Sequence, residues 1–136
     1  MYKTRITWND MKENLATMNL ATADVLIDLR RDFVSTTAED IRELMITLQN
    51  AAEVVIAGCE HLTSNMHIID SLDLMSALYI ETGTMFNSAH WVLVTFQTSR
   101  NAGEERRLQI LEQRMTELQR AVEDFEYAAN RIIDME

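Results

Sequence analysis

The last third of the chain contains the feature that most constrains its fold, a run of apolar residues spaced alternately three and four positions apart. The run is Leu108, Leu111, Met115, Leu118, Val122, Phe125, Ala129 and Ile132. This spacing places every member on one side of an α-helix, at the a and d positions of a heptad repeat. It predicts one long helix, opening at Glu104 after a loop at residues 100–103, that packs against other helices.

Three earlier segments repeat this spacing and predict three more helices. Their heptad residues are Trp8, Met11, Leu15, Met18, Thr22, Val25 and Leu29 in the first helix; Ile41, Met45, Leu48, Ala52, Val55, Cys59, Leu62, Met66 and Ile69 in the second; and Met75, Leu78, Thr82, Met85, Ala89, Val92 and Phe96 in the third. Each set forms an apolar face that has to be buried against a neighbour.

The composition agrees with long helices joined by short connections. The chain has no proline and three glycines, so few residues interrupt a helix. At 136 residues it is long enough to bury the core of one domain. Helices of similar length with short loops favour an up-down-up-down order. We therefore predict an all-α fold, an antiparallel four-helix bundle with long helices and heptad packing, formed by residues 1–136 as a single domain.

Capping residues locate the first two helix starts. Thr7, with Asp10 three positions later, resembles a capping box at the start of the first helix. That helix is expected to end near residues 33–34. Thr36, with Glu39 three positions later, is predicted to cap the second helix.

The boundary between the second and third helices is the least defined. Continuing the second heptad series would place the polar Asp73 and Ser76 at core positions, so a turn is predicted within residues 63–71 and a third helix at about 71–99. The alternative is one very long helix with a local irregularity. Gly83 is expected to permit close packing, to mark a kink or to split the third helix in two.

The charge distribution limits the classes of partner. The formal net charge is −10, and residues 36–70 carry six acids against one base, a net charge of −5. Direct nucleic-acid binding is disfavoured because phosphate contacts need clustered Lys and Arg. No apolar stretch is long enough for a membrane span or typical of a secretory signal, and one cysteine makes no intramolecular disulfide. We expect a soluble, cytoplasmic protein with no membrane partner.

The titratable residues form no pattern typical of an active site. None of the three histidines lies three positions after a glutamate, the spacing found in di-iron bundles. Cys59 lies at a heptad position and is expected to be buried and unreactive. The three glycines are too dispersed for a phosphate-binding loop. We predict no catalytic residue, no cofactor and no metal.

An aspartate row on the first helix has two interpretations. Asp24, Asp28 and Asp32 recur every four residues and therefore share one side of the helix. The row is either a contact for a cation or a basic partner, or a solvated row balanced by Arg30 and Arg31. We favour the second interpretation because residues 1–35 are neutral overall.

Two of the predicted helices have apolar residues on a second side as well. The third helix has only Asp73 and Glu81 as formally charged residues between Ser71 and Ser99, so it is expected to be buried on most sides. Either a central place in the bundle or a second chain would cover it, and we favour the second chain. The predicted interaction residues are Leu20 and Ile27 on the first helix and Ile80, Trp91 and Val94 on the third.

These patterns favour a non-enzymatic protein-interaction module. We expect an adaptor, chaperone or small protein inhibitor that acts through helix faces on a protein partner and self-associates as a homodimer or larger homo-oligomer. Nine methionines would suit a surface that repacks around partners, although an ordinary helical core is the favoured explanation. The alternative function is an acidic decoy that occupies the nucleic-acid-binding surface of a basic partner protein.

Overall fold

The computed structural model describes residues 6–135, and the predicted domain of residues 1–136 extends beyond this range at both ends. Within it the chain folds into four α-helices, which confirms the all-α helical bundle. The helices are α1 (Trp8–Arg31), α2 (Ala38–Thr63), α3 (Ile68–Thr98) and α4 (Glu104–Ile133), with a short 3₁₀ turn (Phe33–Ser35) between α1 and α2.

Polar contacts show the relative direction of α1 and α4. Near the start of α1, Lys12 Nζ donates to Asn130 Oδ1 near the end of α4 at 2.7 Å. Near the end of α1, Arg30 Nε lies 3.7 Å from Glu112 Oε2 in the first third of α4. The two helices therefore run in opposite directions.

Arg107 joins α3 and α4 at the end of the bundle where their connecting loop lies. Its Nη2 donates to the carbonyl oxygen of Phe96 at 2.6 Å, and its Nε donates to Ser99 Oγ at 3.2 Å. The guanidinium carbon lies 4.2 Å from the centre of the Phe96 ring and 5.5 Å from that of Phe33. The positive charge of Arg107 at the carboxyl end of α3 also interacts favourably with the negative end of the α3 helix dipole.

The core contains most of the predicted heptad residues of the four helices, but Met45, Leu62, Met66 and Thr82 are only half-buried. In α4, seven of the eight are buried and Leu108 is half-buried. Neighbouring helices contact in chain order, α1 contacts α4, and α2 also contacts α4 across the bundle. Five methionines lie in this core, as expected for an ordinary helical interior: Met11, Met18, Met75, Met85 and Met115.

The predicted capping box of α1 is confirmed. The Thr7 backbone N–H donates to Asp10 Oδ2 at 2.8 Å, and the Asp10 N–H donates to Thr7 Oγ1 at 3.1 Å. The Thr7 hydrogen bonds hold the pKa of the Asp10 carboxyl below its usual value.

The predicted boundaries between α1 and α2 are wrong by a few residues. α1 ends at Arg31 rather than near residues 33–34, because a 3₁₀ turn follows it. Thr36 does not cap α2, since its N–H donates to the Phe33 carbonyl at 3.1 Å and closes that turn. Thr37 takes the capping role instead, with its backbone N–H donating to Asp40 Oδ2 at 2.8 Å.

The predicted turn between α2 and α3 is confirmed, but α3 begins at Ile68 rather than near Ser71. His67 caps it, because its Nδ1 accepts a hydrogen bond from the Ile69 N–H at 3.4 Å. The early start moves Ile69 from the predicted core of α2 to the exposed side of α3.

Two predicted core positions in α1 are also wrong. Trp8 is exposed at the first turn, and Val25 is half-buried while Leu26 takes the buried position. A straight α-helix has about 3.6 residues per turn, whereas a strict heptad repeat requires about 3.5. The heptad positions therefore rotate around the helix axis by about 20° per repeat. Over the length of α1 this drift shifts burial from Val25 to its neighbour.

The two helix-interior glycines have opposite surroundings. A Cβ atom at Gly58 would lie 2.8 Å from Met11 Cγ and 3.1 Å from Ile6 Cγ2, so Gly58 permits the close approach of α1 and α2. In the part of the chain that the structure describes, no atom lies within 4 Å of the place where a Cβ atom at Gly83 would be. The α3 helix is continuous through Gly83, so this residue neither splits the helix nor serves close packing within the chain.

These surroundings predict opposite effects of the same substitution. Gly58→Ala should destabilise the chain by about 1–2 kcal/mol, because the buried Met11 side chain has to move. Gly83→Ala should stabilise it by roughly 0.5–1 kcal/mol, because alanine is the better helix former and its methyl group meets open space. Urea denaturation of both variants at one low protein concentration measures the two free energies of unfolding. Shifts of the same sign would contradict the described packing.

Candidate protein-interaction surface

The outward side of α3 carries an apolar surface that the other residues of the described range 6–135 do not cover. We call it the outer α3 face. It comprises the exposed Ile69, Asp73, Ser76, Ile80, Gly83, Thr84, Asn87, Trp91 and Thr98 and the half-buried Val94. Ile80 is 65% exposed and Trp91 is 48% exposed. In the single chain only the side of α3 that bears the heptad residues is covered, so the alternative of a central place in the bundle is wrong, and cover by a second chain stays a prediction.

This face is nearly free of charge. Among its ten described residues, Asp73 is the only one with a formal charge. Glu81 lies on the flank of the helix and is half-buried. Ile80 and Trp91 are eleven residues apart, which is three helical turns or roughly 16 Å, so both point to the same side. Two exposed apolar side chains, Leu72 and Tyr79, border the face.

The borders of the face contact the neighbouring helices. The Arg114 guanidinium carbon of α4 lies 5.7 Å from the centre of the Trp91 ring, and Arg114 Nη1 donates to Glu117 Oε2 at 3.2 Å. At the α2 border, partial burial and the negative charge of Glu60 raise the pKa of Tyr79. α2 and α4 thus frame the face with charged groups that stay in solvent.

The structure groups the predicted interaction residues in two places. Ile80, Trp91 and Val94 share the outer α3 face. Leu20 and Ile27 lie on the outside of α1, where they are 64% and 48% exposed. In the part of the chain that the structure describes, α1 and α3 occupy opposite corners of the bundle, so these are two separate surfaces.

The α1 surface is less continuous than the outer α3 face. Charged residues lie between and beside its apolar members, with Asp24 next to Leu20 and Arg31 one turn after Ile27. An interrupted surface of this kind is ordinary on a soluble protein. We therefore regard the outer α3 face as the principal candidate site.

The aspartate row lines a groove between α1 and α2. The groove encloses about 530 Å³, and its apolar floor is formed by Ala21, Val25 and Leu44. Five carboxylates line it, from Asp24, Asp28, Asp32, Asp40 and Glu43, together with the guanidinium of Arg31. The predicted balance of this row by Arg30 is wrong, because Arg30 contacts Glu112 of α4 instead.

Sequence reasoning missed the residues that join distant parts of the chain. Lys12 bonds to Asn130 and to Asp134, whose Oδ1 lies 2.9 Å from Lys12 Nζ, and it also lies 5.2 Å from the centre of the Trp8 ring. Its partners are more than a hundred positions away, so no local spacing indicates the contact. Arg107 likewise has no local pattern that marks it.

Cys59 is buried, as predicted. Burial raises the pKa of its thiol to about 12, and the charge of Glu60 adds to the shift. A thiol of this kind stays protonated at neutral pH and is a poor nucleophile. Within residues 6–135, no group of three or more His, Cys, Asp or Glu side chains is arranged to hold a metal ion.

The Cys59 pKa predicts an alkaline loss of stability. The folded chain keeps this proton to about pH 12, whereas the unfolded chain loses it near the ordinary value of 9.0. The contribution of the Cys59 thiol to the free energy of unfolding is therefore fully present below pH 9. Above pH 9 the free energy of unfolding falls by up to about 1.4 kcal/mol per pH unit. Cys59→Ala should remove this slope, while the contribution of Tyr79 persists in both proteins. Urea denaturation from pH 8 to 10.5 measures the difference, and parallel pH curves for the two proteins would contradict the assignment.

No protein-family model, curated protein or solved structure matches the chain. None of the helices in residues 6–135 has an apolar stretch sufficient to cross a bilayer.

Proposed function

We propose that the chain is a non-enzymatic, cytoplasmic protein-interaction module, an adaptor, chaperone or small protein inhibitor, that binds through the outer α3 face and self-associates. The observation that carries the proposal is the exposure of Ile80 and Trp91 on a helix side where Asp73 is the only charge. The proposal assigns no catalytic residue, cofactor or metal.

Association through the outer α3 face is energetically favourable because it removes this apolar surface from water. An aromatic side chain of this size buries on the order of 200 Å², so covering the exposed half of Trp91 removes roughly 100 Å² from water. At about 25 cal/mol per Å², this contributes about 2.5 kcal/mol to an association. Ile80, Leu72 and Tyr79 extend the same surface, and contiguous exposed apolar patches usually mark interaction sites.

The alternative function is an acidic decoy for a nucleic-acid-binding protein. The five carboxylates of the α1–α2 groove favour it, because they place several negative charges along one edge of the bundle. The negative charges of duplex DNA are more closely spaced, with one charge per roughly 1.7 Å of helix axis. A decoy would lose affinity for its basic partner steeply as salt rises, whereas binding through the outer α3 face would change little.

Sedimentation analysis tests the proposed function. At micromolar concentration the chain should be at least a dimer, and Trp91→Glu should weaken this association by tenfold or more, because it replaces apolar area with a charge. Tyr127→Glu is the matched control, since Tyr127 is also an exposed aromatic residue but lies on α4. The control should associate like the unaltered chain.

Circular dichroism and thermal melting should show both variants folded, because both side chains are exposed. A monomer at all concentrations, or equal weakening by both variants, would refute the outer α3 face as the site of self-association.

A further inference from the structure

We infer that a second copy of the chain packs against the outer α3 face in the antiparallel direction, around a two-fold axis between Thr84 and Asn87. This inference rests on the self-association proposed above and specifies its geometry. In it, Ile80 of each copy contacts Trp91 of the other. The interface is isologous, with the same surface used by both copies.

The register follows from the positions of the large side chains. When two identical helices pack in the antiparallel direction, the residue numbers of every facing pair add up to the same total. The register that pairs Ile80 with Trp91 therefore also pairs Thr84 with Asn87, and Asp73 with Thr98. Ile80 and Trp91 thus meet across the pair, Val94 faces Ala77, and the small polar residues Thr84 and Asn87 meet at the centre. At these central positions the outer α3 face is complementary to itself.

The centre of the face suits a close approach of two helices. Gly83 has no side chain, and a Cβ atom there would meet none of the other atoms in residues 6–135 within 4 Å. The Thr84 hydroxyl donates to the Ile80 carbonyl at 3.1 Å, which leaves the hydroxyl oxygen free to accept from the Asn87 amide of the second copy. The polar groups at the centre can therefore be satisfied on burial.

Charge favours the antiparallel over the parallel orientation of the two copies. The net charge of −10 makes two copies repel each other, and this repulsion is smallest where the contacting surfaces are nearly uncharged, as on the outer α3 face. An antiparallel pair brings Asp73 of one copy beside Thr98 of the other. Arg100 follows Thr98 by two residues, so a positive charge of the second copy lies near Asp73. A parallel pair would instead place Asp73 against Asp73 and align the two helix dipoles.

The available area sets the expected strength. α3 has 31 residues. At 1.5 Å per residue and a width of about 10 Å, its outer face offers roughly 450 Å² per copy. A standard stable interface uses about 800 Å² per partner, so the border residues Leu72 and Tyr79 have to contribute. We therefore expect a dissociation constant in the micromolar range.

Disulfide cross-linking between engineered cysteines tests the register. The native Cys59 is fully buried and does not compete. Thr84→Cys places the two cysteines of a dimer within roughly 4–5 Å along the helix axis, whereas Asp73→Cys or Thr98→Cys alone places them nearly 40 Å apart. All three positions are exposed. Mild oxidation should therefore link Thr84→Cys to itself, and Asp73→Cys to Thr98→Cys only when the two variants are mixed. Asn87→Cys serves as a second central variant and should behave like Thr84→Cys.

Sedimentation of the same variants separates the outcomes. A dimer in which Asp73→Cys links to itself would overturn the antiparallel register and leave the proposed self-association intact. A dimer sensitive to Trp91→Glu in which none of the cysteines links would also overturn the register alone. A monomer at every concentration would overturn both the register and the self-association on which it rests.

Discussion

The contact of α2 with α4 across the bundle is the constraint on which the arrangement of the other helices depends. Both helices have small, fully buried side chains at heptad positions, Ala52 and Cys59 on α2 and Ala129 on α4. Short side chains allow two helix axes to approach closely. When two diagonal helices of a four-helix bundle approach each other, the other two are displaced outward. α1 and α3 therefore occupy the outer corners.

The two outer helices use this exposure differently. Charged residues interrupt the apolar stripe of α1, so water solvates it at little cost. The outer α3 face has no such residues between Ser76 and Thr98. Because α2 and α4 are held in the core by their own heptad residues, neither can move to cover this face. Among the described residues nothing else covers this face, so the packing of the core leaves it available to a second protein surface.

The fold was predictable because burial in a helical bundle is periodic. The heptad spacing of α4 correctly identified most of its core. The nearly uncharged third segment indicated apolar residues outside the heptad face, and of these Ile80 and Trp91 are exposed in the single chain. The details that failed depend on small or distant effects. Leu26 replaces Val25 in the core because the register drifts, and a 3₁₀ turn moves the α2 cap by one residue. Lys12 contacts Asn130 and Asp134, more than a hundred positions away, so no local pattern could indicate these contacts. The contacts of Arg107 and the groove that contains the aspartate row depend on how neighbouring helices pack across their connections, which a heptad pattern does not specify.

The central claim is that Trp91 leaves water only when two chains associate. Trp8→Phe leaves Trp91 as the single tryptophan, because the chain has two. Its fluorescence emission maximum should then shift to shorter wavelength as the protein concentration rises from nanomolar to tens of micromolar, since burial of an indole ring lowers the polarity around it. The reciprocal Trp91→Phe variant, which reports on Trp8, should show a constant maximum. An emission maximum of Trp91 that stays constant over the whole range would contradict the claim.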